Sequence, residues 1–236
     1  MGKMEKEMGT QVAAAKKAEL SADDLDFMAQ HAGTGTNFDT DDLVVPFLRL
    51  AQKMSPELAK NDAKYIKGLD YGDMFNNLTH EVFPADDGGV NVIVCGTRKK
   101  AFEFTPQEAG GGWVGELALG DNRLQKIRRE GSKEFFQDTG NECVIAEEFI
   151  CLLLDESGGW DPIIVDMKGT QRQVAKRWRT MIKMQKFDHP KHGMVSAPIF
   201  ACIWNLTSVD VVNKANKTYA NYKVDRVGFH PVDLRP

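Results

Sequence analysis

The sequence has no long apolar run, and this absence argues against a helix that crosses a membrane. The longest apolar stretch, Phe149–Leu154, has the length of a strand, whereas a membrane-spanning helix needs about 20 apolar residues. The first residues, MGKMEKEMG, lack the apolar segment of a secretory signal. We therefore expect a cytoplasmic protein.

Cysteine is also scarce, and the few cysteines do not form a motif. They are scattered through apolar segments without a C-x-x-C pair, which argues against a zinc knot or a disulfide framework. The pattern is typical of buried thiols in a reducing compartment. The four cysteines are Cys95, Cys143, Cys151 and Cys202.

The common catalytic motifs are missing as well. The sequence contains no G-x-x-x-x-G-K-[ST], G-x-S-x-G or H-E-x-x-H, and no G-x-G-x-x-G that follows a strand. His189 and His192 form an H-x-x-H pair across a proline, without further ligands nearby in the sequence, so we interpret them as surface histidines. We expect no catalysis, no metal and no cofactor.

Charge is distributed unevenly along the chain, although the net charge is only −4. Residues 1–45 hold 4 Lys against 9 Asp and Glu, whereas residues 163–226 hold 12 Lys and Arg against 4 Asp. Because the acidic segment is poor in large apolar groups, we expect residues 1–43 to be largely disordered and residues 44–236 to form one domain. The basic region indicates an anionic partner.

Apolar and alternating stretches predict an antiparallel sheet. Val90–Thr105 is β-rich, Cys143–Leu154 is the strongest core strand, and Trp160–Met167 returns beside it as a hairpin. Two more strands are expected at Pro198–Thr207 and Tyr219–Val227. These elements predict an α+β fold in which helices pack on a strongly bent antiparallel sheet. Three tryptophans in apolar patterns are assigned to its core: Trp160, Trp178 and Trp204.

One helix is clearly predicted, from Thr170 to Lys186. Thr170 and Gln173 have the spacing of a capping box, and apolar residues such as Trp178 and Met181 recur at helical intervals. Cations at steps of four and three cover another face. Because like charges at these intervals repel, this stripe favours phosphate binding; a solvated basic face is the alternative. The stripe consists of Arg172, Lys176, Arg179, Lys183 and Lys186.

A second group of candidates combines cations with aromatic rings, the side chains that hold phosphates and stack bases in single-strand binders. Alternation along Thr97–Thr105 puts two cations and two phenylalanines on one face and Lys99 on the other. The alternative is that the phenylalanines face the core. A glycine-rich tip and a later strand add further members. The candidates are Arg98, Lys100, Phe102, Phe104, Trp113, Tyr222, Lys223 and Arg226.

Several short motifs occur together between residues 44 and 228: Val45–Leu50, Met54–Glu57, Gly72–Asn77, Gly110–Val114, Gly169–Trp178 and Ile203–Ser208. Together they resemble a family of tailed-phage proteins that bind single-stranded DNA, some of which are cofactors of a phage RNA polymerase. The resemblance implies binding without sequence specificity, in phage DNA replication or transcription in the host cytoplasm. It also implies a fold that is similar to an oligonucleotide-binding barrel or a distinct single-strand-binding fold.

The basic groups and the resemblance predict a non-enzymatic protein that binds single-stranded DNA. Its expected partners are single-stranded DNA, phage RNA polymerase or replication proteins, and further copies of itself on DNA, but no membrane. Two alternatives come from other classes. A structural or adaptor protein of the virion or of host interaction would have no affinity for oligonucleotides, and a metal-dependent nuclease or recombination protein would degrade DNA with magnesium.

Overall fold

The computed structural model describes residues 30, 44, 46–131, 133–155, 159–213 and 216–229. Nearly all of them belong to the second of the two units of the chain, which begins at residue 45. The predicted acidic segment, residues 1–43, lies outside the described residues except for Gln30. Among the helices that the structure describes, none has the length and apolarity needed to span a bilayer.

The described part of the second unit is mostly β, with one short helix. The helix α1 spans Arg172–Lys183 and follows a 3-10 turn at Gly169–Gln171. The strands are β1 (Phe47–Leu50), β2 (Met74–Asn76), β3 (Val82–Phe83), β4 (Val90–Thr105), β5 (Gly112–Leu117), β6 (Ile127–Glu130), β7 (Lys133–Phe136), β8 (Glu142–Leu154), β9 (Trp160–Lys168), β10 (Lys186–His189), β11 (Gly193–Ser196), β12 (Cys202–Val212) and β13 (Thr218–Phe229).

Most strands join one strongly curled sheet in the order β13-β12-β4-β8-β9-β1-β2-β3. Adjacent strands in this order run antiparallel to each other, except that β1 and β9 run parallel. The long strands β4 and β8 extend past these partners, and there β5 pairs with β4 while β7 pairs with β8 and β6 with β7. The predicted bent sheet is thus confirmed as a half-barrel.

The helix α1 packs on the face of the sheet that carries the largest hydrophobic cluster of the described residues. Trp178 is fully buried and stacks on Phe149 of β8, with 4.1 Å between ring centres, and it meets Trp204 of β12 edge-on at 6.3 Å. Met181 packs against the same core. The predicted packing of α1 is confirmed, but the helix is shorter than predicted, and Thr170 makes no side-chain cap at its start.

Two core assignments from the sequence are wrong. Trp160 is 60% exposed because it lies at the first position of β9, at the end of the β8–β9 hairpin. Cys95 is exposed, whereas the other three cysteines are buried and all four are free thiols. A bulge in β4 between Val94 and Gly96 shifts the register at this point, which places Cys95 outside the core.

Candidate nucleic-acid interface

The strand β4 displays the predicted candidates on two faces of the sheet. In the register with β8, the two cations and two phenylalanines share one face of the sheet, as the alternation predicts. Lys99 lies across from Glu147, which contacts Arg179 of α1, so Lys99 belongs to the helix-bearing face. The sheet therefore divides the sequence-predicted residues between two surfaces.

Three neighbouring aromatic rings on the face opposite α1 form what we call the aromatic platform: Phe102, Phe104 and Trp113. Phe102 and Phe104 are half-buried and meet edge-on, with 6.5 Å between ring centres. Trp113 of β5 lies opposite Phe104 and is 66% exposed. The three rings lie outside the hydrophobic clusters of the described residues, which argues against the alternative that the phenylalanines form the core.

Four cations surround the aromatic platform or lie on the strands next to it, and each is held by a carboxylate. Because Glu148 and Asp166 are buried, their partners are fixed in place with one side in solvent. Charge at the platform is nearly balanced, so this surface suits bases better than a run of phosphates. The pairs are Arg98–Glu148 (2.5 Å), Lys100–Glu116 (2.9 Å), Lys133–Glu142 (2.9 Å) and Lys168–Asp166 (3.1 Å).

The cations on and next to α1 fall into two classes. Arg172 and Arg179 reach the sheet, where they lie 3.5 Å from Glu134 and 3.0 Å from Glu147. The second class is exposed, forms no ion pair with any residue that the structure describes, and has no acidic neighbour along the helix. We call this class the cationic surface; its members are Lys176, Arg177, Lys183 and Lys186.

Arg177 is the member of the cationic surface that the sequence pattern missed. It does not fall on the stripe of four- and three-residue steps, although it follows Lys176 directly and occupies the exposed arc of α1. The signal that reveals it is the absence of any Asp or Glu from residue 167 to residue 187. In an acid-free helix, every exposed cation contributes to the positive potential.

A family model described as the Pam3 phage gp34-like protein matches residues 15–234. The chain belongs to this family. The phage part of the resemblance is therefore confirmed, whereas single-strand binding stays a prediction. No curated protein matches the chain, and no solved structure matches it.

The strand β13 differs from the prediction at Tyr222. This side chain is buried and donates a hydrogen bond from its hydroxyl to the carbonyl oxygen of Leu48 at 3.1 Å. Burial raises the pKa of Tyr222 well above its ordinary value. The prediction that Tyr222 stacks on a base is wrong, because its position in β13 faces the core. Lys223 and Arg226 are exposed, and Arg226 lies 4.5 Å from the ring centre of Phe229.

Arg179 joins α1 to the sheet. It lies within 3.2 Å of both carboxylate oxygens of Glu147, which is 2% exposed, and Lys99 is farther away at 3.9 Å. A buried carboxylate that loses its hydrogen-bond donor is costly because no water replaces the bond. Arg179, a predicted phosphate contact, thus already has a structural partner.

We expect Arg179→Ala to lower the free energy of unfolding by about 1–3 kcal/mol, since it leaves the Glu147 carboxylate buried with Lys99 as its remaining partner. Lys183→Ala on the exposed side of α1 is the matched control and should change stability by less than about 0.5 kcal/mol. Urea unfolding of both variants measures the difference. Equal effects would show that Arg179 does not hold the helix.

Glu103 supports the aromatic platform from behind. It lies on β4 between the two phenylalanines, is 4% exposed, and accepts hydrogen bonds from Arg123 at 3.0 Å, Thr139 at 3.0 Å and Asn141 at 2.8 Å. Burial by itself raises the pKa of Glu103, but the three hydrogen bonds and the charge of Arg123 outweigh it and lower the pKa below its ordinary value.

The lowered pKa of Glu103 predicts an acid-sensitive contribution to stability. The contribution is present above the unfolded-state pKa of about 4.3 and is lost as the pH falls through the lower folded-state value. We expect the stability of Glu103→Gln to depend less on pH than that of the wild type below about pH 5, with exposed Glu108→Gln as control. Urea unfolding at several pH values tests this, and parallel curves for Glu103→Gln and wild type would refute it.

Proposed function

We propose that the chain binds single-stranded DNA without sequence specificity and without catalysis. The observation that carries the proposal is the cationic surface, four exposed Lys and Arg side chains on an acid-free segment, without an ion-pair partner among the described residues. Phosphates are the same in every nucleotide, so contacts to them are independent of sequence.

The aromatic platform supports a preference for single strands. A cationic surface by itself favours duplex DNA, which has the higher charge density. An aromatic side chain gains base stacking only where the bases are free, and each stacked base contributes about 1–3 kcal/mol. Trp113 is exposed opposite Phe104 in a position to provide such stacking.

The phage family and the curled sheet fit this proposal. Oligonucleotide-binding barrels also present rings and cations on a curved sheet, which supports single-strand binding without assigning the chain to that fold. We propose that the protein acts in the host cytoplasm, in phage DNA replication or as a cofactor of phage RNA polymerase, with several copies along one strand.

Replacing Trp113 with alanine tests the aromatic platform. We expect Trp113→Ala to weaken the binding of a labelled single-stranded 20-mer by about 1–3 kcal/mol, because one base stack is lost. The melting temperature should hardly change, since the ring is 66% exposed. Fluorescence anisotropy gives the affinity and circular dichroism the melting temperature.

The matched control is Trp160→Ala. Trp160 is also largely exposed, at 60%, but it pairs with Leu154 at the far end of β8 from the platform. This variant should bind like the wild type. If both tryptophan variants lose the same affinity, or neither loses any, the platform does not stack on bases.

A further inference from the structure

The cationic surface and the aromatic platform lie on opposite faces of the sheet, but an interruption in strand pairing lies between them. Along one edge, β8 pairs with β7 as far as Cys143 and with β9 from Ala146 onward. On this edge, Val144 and Ile145 of β8 therefore pair with neither β7 nor β9. We call this space beside Val144 and Ile145 the notch.

A cavity opens on each side of the notch. On the helix side, a cavity of about 310 Å³ is lined by the cations Arg129, Arg172 and Lys176, among others. On the platform side, a cavity of about 330 Å³ is lined by Phe104 and Lys168, among others. One cavity thus adjoins the cationic surface through Lys176, and the other adjoins the aromatic platform through Phe104.

Three residues line both cavities, so the two cavities share part of their lining beside the notch: Lys133, Glu142 and Val144. The Nζ atom of Lys133 lies 2.9 Å from Glu142, and the side chain of Lys133 is 48% exposed. A solvent-exposed cation therefore lies in the part of the lining that the two cavities share.

The lining of the helix-side cavity has an excess of positive charge, which favours the binding of an anion. Four cations line it against two carboxylates, and one carboxylate, Glu134, serves both Arg129 and Arg172. The Nε atom of Arg172 is buried and has no acceptor among the described residues. Phosphate oxygens accept hydrogen bonds from guanidinium and ammonium groups and balance their charge.

We infer that the notch is a phosphate-binding crossing through which one DNA strand passes from the cationic surface to the aromatic platform. Phosphates contact Lys176 and Arg129 on the helix side and Lys133 at the crossing, and bases then stack on Phe104 and Trp113. The inference rests on the proposed function, and it explains how a single strand reaches both faces of the sheet.

The first test removes the cations of the notch. We expect the double variant Arg129→Gln, Lys133→Gln to reduce the slope of log affinity against log salt by about 1.4, which is about 25-fold weaker binding at 0.1 M salt. The control is Arg128→Gln. Arg128 is the neighbour of Arg129 on β6, pairs with Glu130 at 3.1 Å and lies outside the lining of both cavities. The salt slope of the Arg128→Gln variant should therefore match that of the wild type.

The second test measures how many single-stranded oligonucleotides one protein chain binds. A single path predicts one single-stranded 20-mer per chain in native mass spectrometry, with its affinity lowered both by Trp113→Ala and by glutamine at the cationic surface. Two oligonucleotides per chain, or an unchanged salt slope in the double variant, would overturn the notch while single-strand binding stands. No binding by the wild type would overturn the proposed function itself.

Free phosphate is the other source of the same chemistry. Thermal melting of the wild type in inorganic phosphate and in chloride of equal ionic strength distinguishes a free phosphate ion from the phosphates of a DNA strand. If phosphate stabilises the wild type but not the double variant, and the salt slope for DNA is unchanged, the notch binds a free anion and the strand crossing is wrong. A reduced slope for DNA supports the crossing with either melting result.

Discussion

We expect single-strand binding to be several hundred-fold weaker at about 0.1 M salt when all four members of the cationic surface are replaced with glutamine together: Lys176, Arg177, Lys183 and Lys186. Each phosphate contact with a single strand contributes about 0.7 to the slope of log affinity against log salt, so four lost contacts reduce the slope by about 2.8. The four side chains are exposed, without an ion pair to any described residue, so the change leaves no buried acid unpaired.

The matched control carries the same change in net charge elsewhere. Four exposed lysines lie between β1 and β2 and can be replaced with glutamine together: Lys53, Lys60, Lys64 and Lys67. This control should keep most of the affinity and the wild-type slope. Equal losses in both quadruple variants would show that only net charge matters, and an unchanged slope in the first would remove α1 from the interface.

Trp178→Ala is expected to lower the free energy of unfolding by about 3–5 kcal/mol, the range for a fully buried aromatic side chain. The change removes the ring through which α1 packs on Phe149 of β8 and Trp204 of β12. The loss is a large fraction of the total stability of an ordinary domain.

Urea unfolding of Trp178→Ala beside the exposed Trp160→Ala tests this expectation. Trp160→Ala should stay within about 0.5 kcal/mol of the wild type, because a largely exposed ring contributes little to packing. A small effect of Trp178→Ala would mean that α1 is not part of the core that shapes the sheet.

The parts of the fold that depend on local sequence were predictable. The apolar run in β8 and the return of the chain in β9 predicted the hairpin, because each pattern reports a strand directly. The alternation in β4 also predicted which residues share a face, since a strand turns successive side chains to opposite sides.

The parts that depend on distant partners were not predictable. The helix stripe looks uniform in the sequence, yet Arg172 and Arg179 are engaged by Glu134 and Glu147, which come from strands β7 and β8. In the same way, Tyr222 lies beside cations in the sequence, but the pairing of β13 with β12 in the curled sheet turns it into the core.

The division of the candidates between two faces also follows from tertiary structure. The sequence predicts one interface with cations and rings, whereas the sheet lies between Lys176 on α1 and Phe104 on β4. The notch arises where β8 changes its partner from β7 to β9. A change of partner depends on where other strands end, so nothing in the sequence of β8 itself marks it.

Single-strand binding can be tested by measuring the affinity of the wild-type chain for a single-stranded 20-mer and for the duplex of the same sequence, by anisotropy over a range of salt. We predict tighter binding of the single strand, similar affinity for single strands of different sequence, and an affinity that falls as salt rises. Tighter binding of the duplex would show that the chain binds DNA through its positive charge alone and has no preference for single strands. No binding of either DNA would contradict the proposed function.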